Sequence, residues 1–371
     1  MTKKYLVKLT PHDRFFFGGE TTFGEGDIKN YFVKSNHYPQ QTSLLGLIRY
    51  QLLLKNGLMK NDKIADKAKA ETLIGKESFK LDNGFNFEAI KSLSPVFITD
   101  GNLHLFPANR EYQWYFDKET KAEVKEMRQI SFHINGKCSL YDKIPELLKY
   151  DAKEELPDLL VDKNKKLYRY SQVFKEYKQV GIRKDYKGKT QDDAYYIQIF
   201  YKIMKGYSFA SIVELDDNFI FDQKEIRVNF SSEAIVFLGA EQSKFRMDVT
   251  ETKKDFDQLL PDYEKSDNSA KVVLVSDAYL PTNDILNESD FAITDIVDFR
   301  SLETSVNDTE NYSAFDRKKI KTNVVWKSGK YNFFKKGSVF FGDTNTISKK
   351  LNNDDLQKIG YNIYKPIIKK S

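Results

Sequence analysis

Few side chains of this sequence are suited to catalysis by themselves. The 371 residues include four histidines and one cysteine, Cys138. His37 lies beside a predicted helix start, where a histidine can act as a general base toward a hydroxyl group or have a structural role. Cys138 lies in NGKCSLYD, and a nucleophilic pair would require a histidine brought close by the fold, so an inert thiol is favoured. The sequence predicts no assembled active site.

Metal and nucleotide sites find no support in the sequence either. A single cysteine rules out an intrachain disulfide and a cysteine-based zinc site. The carboxylates show no metal-ligand spacing, and the loop GGETTFGEG lacks the Gly-Lys-Ser/Thr sequence of a phosphate-binding P-loop. We expect no metal and no cofactor.

The strongest chemical signal is a basic stretch with interleaved aromatic residues, from Arg317 to Phe341. It has no aspartate or glutamate, and its eight cations are Arg317, Lys318, Lys319, Lys321, Lys327, Lys330, Lys335 and Lys336. Its aromatic residues are Trp326, Tyr331, Phe333, Phe334, Phe340 and Phe341. Cations neutralise phosphates and rings stack on unpaired bases, so the pattern favours nucleic-acid binding. The alternative is a solvated basic face over buried aromatic residues.

Two further segments add to this signal. In the basic stretch, Gly337 and Ser338 follow Lys335 and Lys336, where a backbone can approach a phosphate closely. A second basic cluster occupies QVGIRKDYKGKT, in what we predict to be the loop of a projecting hairpin. Its cations are Arg183, Lys184, Lys187 and Lys189. This cluster either meets an extended nucleic-acid strand or is a solvated loop.

The segment NHYPQQTSLLGLIRYQLL predicts a helix from Leu44 to about Leu54, ended by Gly57, with Thr42 or Ser43 as its N-cap. A helix start offers free backbone N–H groups and a positive dipole end. Hydrogen-bonding side chains precede and begin this helix: Gln40, Gln41, Thr42 and Ser43. Arg49, about two turns in, can face a phosphate or a carboxylate. The segment is either a simple cap or an anion-binding junction.

Composition and length limit the class of protein. The net charge is +5 and hydrophobic residues make up 40%, so a packed core can form. The N-terminus resembles no signal peptide and no stretch of about 20 apolar residues occurs, so we expect a soluble, cytoplasmic protein without membrane contact.

The predicted elements indicate an α+β fold. A first strand covers Tyr5 to Leu9, a polar helical segment covers 62–75, and short helices are expected in 144–161. The second half is rich in strands, among them KVVLVSDAYL. We predict an N-terminal module (1–108), an insertion with short helices and a projecting basic hairpin (109–230), and a C-terminal strand-rich module (231–371).

Five segments together resemble the Cmr-type subunit three family, the RAMP subunits that hold the guide RNA's 5′ end in type III-B CRISPR effector complexes. They occur in this order between Phe15 and Gly342: FFFGGETTFGEG, YPQQTSLLGLIRYQLL, VGIRKDYKGKTQDDAYY, IVFLGAEQ and KKGSVFFG. The second segment is similar to the family's FPPQTSxxGxxR, with Gln40 replacing a proline. The last segment resembles PAGSVYxF, with Lys335 and Lys336 replacing the proline and alanine.

The resemblance implies a fold and a function. The fold would consist of ferredoxin-like, RRM-type RAMP modules with inserted helical and β-hairpin segments. The function would be a non-catalytic one in antiviral defence: capping the crRNA 5′ handle and docking to the large polymerase/cyclase-type subunit and a backbone RAMP subunit. The site residues expected at the RNA are His37, Gln40, Gln41, Thr42, Ser43, Arg49, Arg183, Lys184, Lys187, Lys189, Lys335, Lys336, Gly337 and Ser338.

Two other functions remain open at this point. One is a metal-independent RAMP endoribonuclease that processes CRISPR transcripts, with His37 as the candidate base. The other is a protein scaffold whose basic residues serve solubility. Salt-dependent RNA binding would exclude the scaffold, because both the crRNA-binding subunit and the endoribonuclease must bind RNA.

Overall fold

The fold is taken from a computed structural model of the chain. It describes residues 2–19, 21–22, 31–61, 63–76, 78–81, 86–117, 121–126, 157–184, 187–230, 233–241, 243–263, 270–305, 310–312, 319–321 and 324–368. Residues 144–156 of the segment predicted to hold short helices (144–161) lie outside these residues, as do Cys138, Arg317 and Lys318, and its end forms a strand at Leu159–Val161 instead of a helix. The described elements mix sheets with a few helices, which confirms the α+β class. Within the described residues, no helix is long and apolar enough to cross a membrane.

Two of the helices in the described residues were predicted from the sequence. The helices are α1 Gln41–Lys55, α2 Lys67–Ile74, α3 Tyr170–Val173, α4 Phe256–Leu259, α5 Asp284–Asn287, α6 Thr344–Leu351 and α7 Asp354–Lys358. Gly57 follows α1 with a positive φ of 70°, a conformation that favours glycine and ends the helix as expected. The Asp66 side chain caps α2 by accepting from the Lys69 N–H.

Strands dominate the rest of the chain. In the first part they are β1 Thr2–Pro11, β2 Thr21–Thr22, β3 Tyr31–Lys34, β4 Met59–Lys60, β5 Lys63–Ile64, β6 Ile90–Leu93, β7 Phe97–Thr99, β8 His104–Pro107, β9 Tyr112–Asp117, β10 Lys121–Glu126, β11 Leu159–Val161, β12 Leu167–Arg169, β13 Phe174–Lys184 and β14 Thr190–Ile203. They continue as β15 Ser208–Asp216, β16 Asn218–Phe221, β17 Lys224–Arg227, β18 Glu233–Phe237, β19 Lys244–Thr252, β20 Lys271–Leu274, β21 Phe291–Ile293, β22 Ile296–Phe299, β23 Leu302–Ser305, β24 Glu310–Tyr312, β25 Lys319–Lys321, β26 Val324–Lys327, β27 Tyr331–Phe334, β28 Val339–Phe341 and β29 Tyr364–Ile367.

The largest sheet has nine strands, in the order β12-β11-β8-β7-β15-β1-β19-β18 with β6 also on β15. Strand β1 runs antiparallel to both β15 and β19. Its alternation buries Tyr5, Val7 and Leu9 in the same core as Leu44 and Ile48 of α1. The sheet takes strands from all three predicted domains, so the boundaries at 108 and 230 do not separate sheets.

Two four-stranded sheets complete the frame around the candidate site. The order of one is β13-β14-β3-β2, and it contains the predicted long hairpin. In it, β13 and β14 are antiparallel, and β14 is parallel to β3. The other sheet has the order β21-β28-β20-β29. Its strand β20 is buried along its whole length, as its apolar sequence predicted.

Candidate nucleic-acid interface

Helix α1 begins earlier than the sequence predicted, and the predicted N-cap is wrong. Gln40 is the N-cap residue, in an extended conformation and without a side-chain cap hydrogen bond. The N–H groups of Ser43 and Leu44 both donate to the Gln40 carbonyl. Thr42 and Ser43 therefore lie within the first turn, and their side chains do not cap the helix. Ser43 is exposed, and Gln40 and Thr42 are partly exposed.

The other side of this helix start is covered by the chain's C-terminal part. Gln41 is buried, and its Nε2 donates to the carbonyl oxygens of Ser94 and Ile359, both at 2.9 Å. Gly360 has a φ of +83°, and a Cβ there would lie 2.0 Å from that same Nε2. Burial raises the pKa of Tyr361, whose hydroxyl lies beside the amides of Thr42 and Gln41. Gln41 therefore holds two segments together rather than facing solvent.

Among the described residues, Arg49 makes no ion pair with a carboxylate. Its Nη2 donates to the carbonyl of Gly75, at the end of α2, at 2.9 Å. Its guanidinium also lies over the ring of Phe87, 5.8 Å from the ring centroid, and its Nε is buried without a partner. Burial lowers the pKa of Arg49. The contact fixes α1 against α2, which gives Arg49 a structural role.

His37 is enclosed by aromatic rings. Its ring stacks on Tyr201 at a centroid distance of 4.0 Å and contacts Tyr170 and Phe174 at 4.8 and 5.0 Å. Burial lowers the pKa of His37 to about 3, although Asp158 acts in the opposite direction. The imidazole is therefore neutral at pH 7 and packs as an aromatic residue.

Lys335, in the basic stretch, is part of an ion-pair network. Lys335 lies 3.4 Å from Asp158 and 3.3 Å from Asp295. Arg110 contacts the same two carboxylates, at 3.2 and 2.9 Å, and its side chain is only 8% exposed. Two cations and two carboxylates thus join segments that are far apart in the chain.

Lys336 is held against a ring. Its Nζ lies 3.4 Å from the centroid of Tyr38, a cation–π contact. Burial lowers the pKa of Lys336 to about 8, against the attraction of Asp277. The backbone N–H of Lys336 donates to Asp277 at 2.8 Å. Both lysines predicted to meet phosphate are thus already engaged within the protein.

Gly337 and Ser338, the predicted phosphate cradle, are both buried and make hydrogen bonds within the protein. The Gly337 N–H donates to Leu274, and the Gly337 carbonyl accepts from Arg110. Gly337 has a φ of +84°, and a Cβ there would lie 2.5 Å from the Ala108 carbonyl oxygen. Ser338 is 0% exposed, and its hydroxyl donates to the Lys335 carbonyl at 2.6 Å. The glycine permits a close approach of two protein backbones.

Several aromatic residues of the basic stretch also belong to the core. Phe333, Phe334, Phe340 and Phe341 are at most 6% exposed. For them the alternative of buried aromatic residues is correct, and stacking on bases is excluded. Lys330 pairs with Asp298 at 2.7 Å. The side chains of Lys319, Lys321, Trp326 and Lys327 lie outside what the structure describes.

The second basic cluster lies, as predicted, at the end of a hairpin, which β13 and β14 form. Arg183 and Lys184 lie at the end of β13, and their side chains lie outside the described residues. Lys187 and Lys189 are exposed in the turn that leads to β14. Farther down the hairpin, the ring of Tyr196 lies over Gly181, where a Cβ would be 2.0 Å from the Tyr196 Cζ. Gly181 therefore makes room for a ring.

Sequence reasoning missed two groupings that the fold assembles. One is the network of Arg110, Asp158, Asp295 and Lys335. The other is the contact of Arg14 with the rings of Tyr177 and Phe200. The members of each come from distant segments, so no local spacing signals them. Among the described residues, no group of three or more His, Cys, Asp or Glu is placed to hold a metal ion.

Comparison with known proteins gives the class. A family model described as "CRISPR-associated protein (Cas_Cmr3)" matches residues 7–363, nearly the whole chain. The chain is therefore a CRISPR-associated protein. It belongs to the Cas_Cmr3 family, which confirms the resemblance seen in its motifs. No curated protein matches it.

Solved structures were compared as well. A chain in a cryo-EM structure of the type III-B Cmr-beta bound to cognate target RNA has a TM-score of 0.47 and 13% identity, covering 98% of this chain and 96% of that one. A second Cmr-beta structure, with target RNA and AMPPnP, gives 0.42 and 14%, covering 97% and 95%. A Csm3-Csm4 subcomplex of the type III-A CRISPR-Cas interference complex gives 0.33 and 13%, covering 91% and 93%.

Proposed function

We propose that this chain is a non-catalytic RNA-binding subunit of a type III-B (Cmr) CRISPR effector complex in the cytoplasm. In this proposal it caps the 5′ handle of the crRNA and docks to the large polymerase/cyclase-type subunit and a backbone RAMP subunit. The observation that carries the proposal is the family match over residues 7–363. We also propose that its strand-and-helix segments form ferredoxin-like RAMP modules with insertions.

The geometry supports a smaller RNA surface than the sequence suggested. Gln40, Thr42 and Ser43 leave one side of the α1 start accessible, whereas Gln41 and Arg49 are engaged inside the protein. Lys187 and Lys189 are exposed on the hairpin turn. Exposed hydroxyls and lysines are the side chains that contact phosphates in nucleic-acid complexes. We place the RNA contacts at the helix start and at the hairpin turn.

The state of His37 supports a non-catalytic role over the endoribonuclease. A general base works best with a pKa near the operating pH, whereas the pKa of His37 is about 3. Its ring is also enclosed by Tyr170, Phe174 and Tyr201. Incubating the purified protein with repeat RNA in the absence of metal tests this role. We expect no cleavage, and multiple-turnover cutting lost in His37→Ala would favour the nuclease.

Co-expression tests the proposal as a whole. A tagged chain would be expressed with a CRISPR array, the large subunit and the other RAMP subunits, then purified and its RNA sequenced. We expect the large subunit to co-purify, together with RNAs that share one common 5′ sequence. Recovery of the protein subunits with RNA of random 5′ ends would contradict handle capping.

A double substitution tests the contact at the helix start. Thr42→Ala/Ser43→Ala removes two hydroxyls without removing a cap, because Gln40 caps α1 through its backbone. We expect the variant to melt near the wild-type temperature and to bind guide RNA more weakly. Wild-type affinity in the folded variant would remove this turn from the RNA surface.

A further inference from the structure

Arg14 packs against two aromatic rings on the sheet of β13, β14, β3 and β2. Its Cζ lies 5.0 Å from the ring centroid of Tyr177 and 4.5 Å from that of Phe200. Both distances are within the range of cation–π contacts. Phe200 is buried in a small cluster with Phe16 and Val33, whereas Tyr177 is 52% exposed. One ring thus anchors the guanidinium, and the other presents a surface to solvent.

The guanidinium of Arg14 forms no direct ion pair with a carboxylate of the described residues, although Lys202 and then Arg14 lower the pKa of the neighbouring Asp13. Among the described residues Arg14 has no ion pair, and Asp13 beside it pairs instead with Lys202 at 2.7 Å. A guanidinium that stacks by its face keeps N–H donors at its edge, in a geometry that suits a phosphate. Arg14 therefore combines a fixed orientation with hydrogen-bonding capacity that the described residues do not use.

Further lysines and rings lie on the same sheet face along the hairpin. Side-chain alternation places Lys175 and Tyr177 on one face, opposite Lys202 and Phe200. Lys175 is exposed and, within the described part of the chain, has no ion pair. Toward the tip, the Tyr196 ring lies over Gly181 on this face, about 13 Å from Tyr177 at 3.3 Å per residue. One side of the hairpin thus holds two lysines, then the rings of Tyr177 and Phe200 and, beyond Gln179 and Gln198, the ring of Tyr196.

We propose that this face, centred on Arg14 and Tyr177, binds unpaired RNA, with a base stacked on Tyr177 and a phosphate at Arg14. The inference rests on the proposed RNA-binding function and adds a site for single-stranded nucleotides. Aromatic rings beside cations are the means by which proteins hold single strands without reading their sequence. Lys175 and Lys202 argue against a protein partner, because lysine is depleted in protein interfaces, whereas arginine and tyrosine are common there, so the test below includes a protein partner as an outcome.

Binding of a short fluorescein-labelled single-stranded RNA to the full chain, followed by anisotropy, tests the site. Tyr177→Ala should weaken binding roughly five- to hundredfold, the range for loss of one base–aromatic stack. Tyr177→Phe keeps the ring and should bind like the wild type. Arg14→Lys keeps the charge but loses the planar stack and should bind more weakly. Tyr50→Ala removes a tyrosine that is 42% exposed on α1 and serves as the control for a lost surface ring.

The outcomes separate this inference from the proposed function. If the wild-type chain binds neither this RNA nor a guide RNA that carries its 5′ handle, both fail. If the wild type binds RNA and Tyr177→Ala binds equally well, only the inference fails. If Tyr177→Ala keeps its RNA affinity but no longer captures a co-expressed Cmr subunit, the face is a protein-docking surface and the inference is overturned. If Arg14→Lys does not fold, the comparison of Tyr177→Ala with Tyr177→Phe still shows whether the ring of Tyr177 binds RNA.

Discussion

Individual side chains in this protein often have a structural task where the sequence suggested an RNA contact. Gln41, Arg49 and Ser338 each make hydrogen bonds to backbone carbonyls inside the fold. Lys335 is neutralised by carboxylates, and Lys336 lies on a ring. The residue types were suited to phosphate, but burial decides which of them a ligand can reach.

The partly buried imidazole of His37, packed between aromatic rings, should make the stability depend on pH. Its pKa is about 3 in the folded chain and ordinarily 6.5. As the pH falls below about 6.5, the unfolded chain binds a proton that the folded chain does not, so the free energy of unfolding decreases. This group accounts for a slope of at most about 1.4 kcal/mol per pH unit. His37→Phe should remove that share.

Urea unfolding of both proteins at several pH values from 7 to 4 measures this difference. The carboxylates titrate in both proteins, so the difference between the two isolates His37. We expect the free energy of unfolding of His37→Phe, relative to that of the wild type, to increase as the pH falls. Two curves that remain parallel would show that the histidine is not enclosed as described.

The hydrogen bond of Arg49 to the Gly75 carbonyl should contribute to stability and not to RNA binding. Arg49→Ala should lower the free energy of unfolding by about 1–3 kcal/mol, because the Gly75 carbonyl loses its donor in a partly buried place. The affinity of the folded variant for RNA should remain unchanged. Denaturant unfolding and an RNA titration check the two statements. Weaker RNA binding at unchanged stability would mean that Arg49 faces the ligand after all.

Among the elements, the turn between β27 and β28 connects different parts of the chain. Gly337 makes backbone hydrogen bonds to Arg110 and to Leu274 of β20, and Lys335 makes ion pairs with Asp158 and Asp295. Gly337 has a positive φ and meets the Ala108 carbonyl at a distance too short for any Cβ. The glycine is therefore required by packing between segments.

Gly337→Ala should destabilise the protein strongly. The positive φ alone costs about 1 kcal/mol or more for a residue with a Cβ, and the clash with the Ala108 oxygen adds to it. Gly188→Ala is the matched control, since Gly188 also has a positive φ (+77°) but has no atom within 4 Å of its Cβ position. Thermal melts compare the two variants. Equal losses of stability would contradict a packing role for Gly337.

At the scale of the whole molecule, local patterns predicted local elements well. The strand at Tyr5–Leu9, the helix ended by Gly57 and the long hairpin follow from side-chain periodicity and glycine positions. The ion pairs of Lys335 could not be predicted, because its partners Asp158 and Asp295 lie 177 and 40 residues away. For the same reason, the contact of Arg14 with Tyr177 gave no signal in the sequence.

We propose that this Cas_Cmr3 family member recognises the crRNA 5′ handle. A competition titration of the full chain tests it, with a guide RNA that carries its handle and the same guide with a scrambled handle, at equal length and salt concentration. We predict at least about tenfold tighter binding of the intact handle, or about 1.4 kcal/mol. We also expect both affinities to fall as salt increases, since phosphate contacts release counterions. Equal affinity for the two RNAs would contradict handle recognition and leave only non-specific RNA binding.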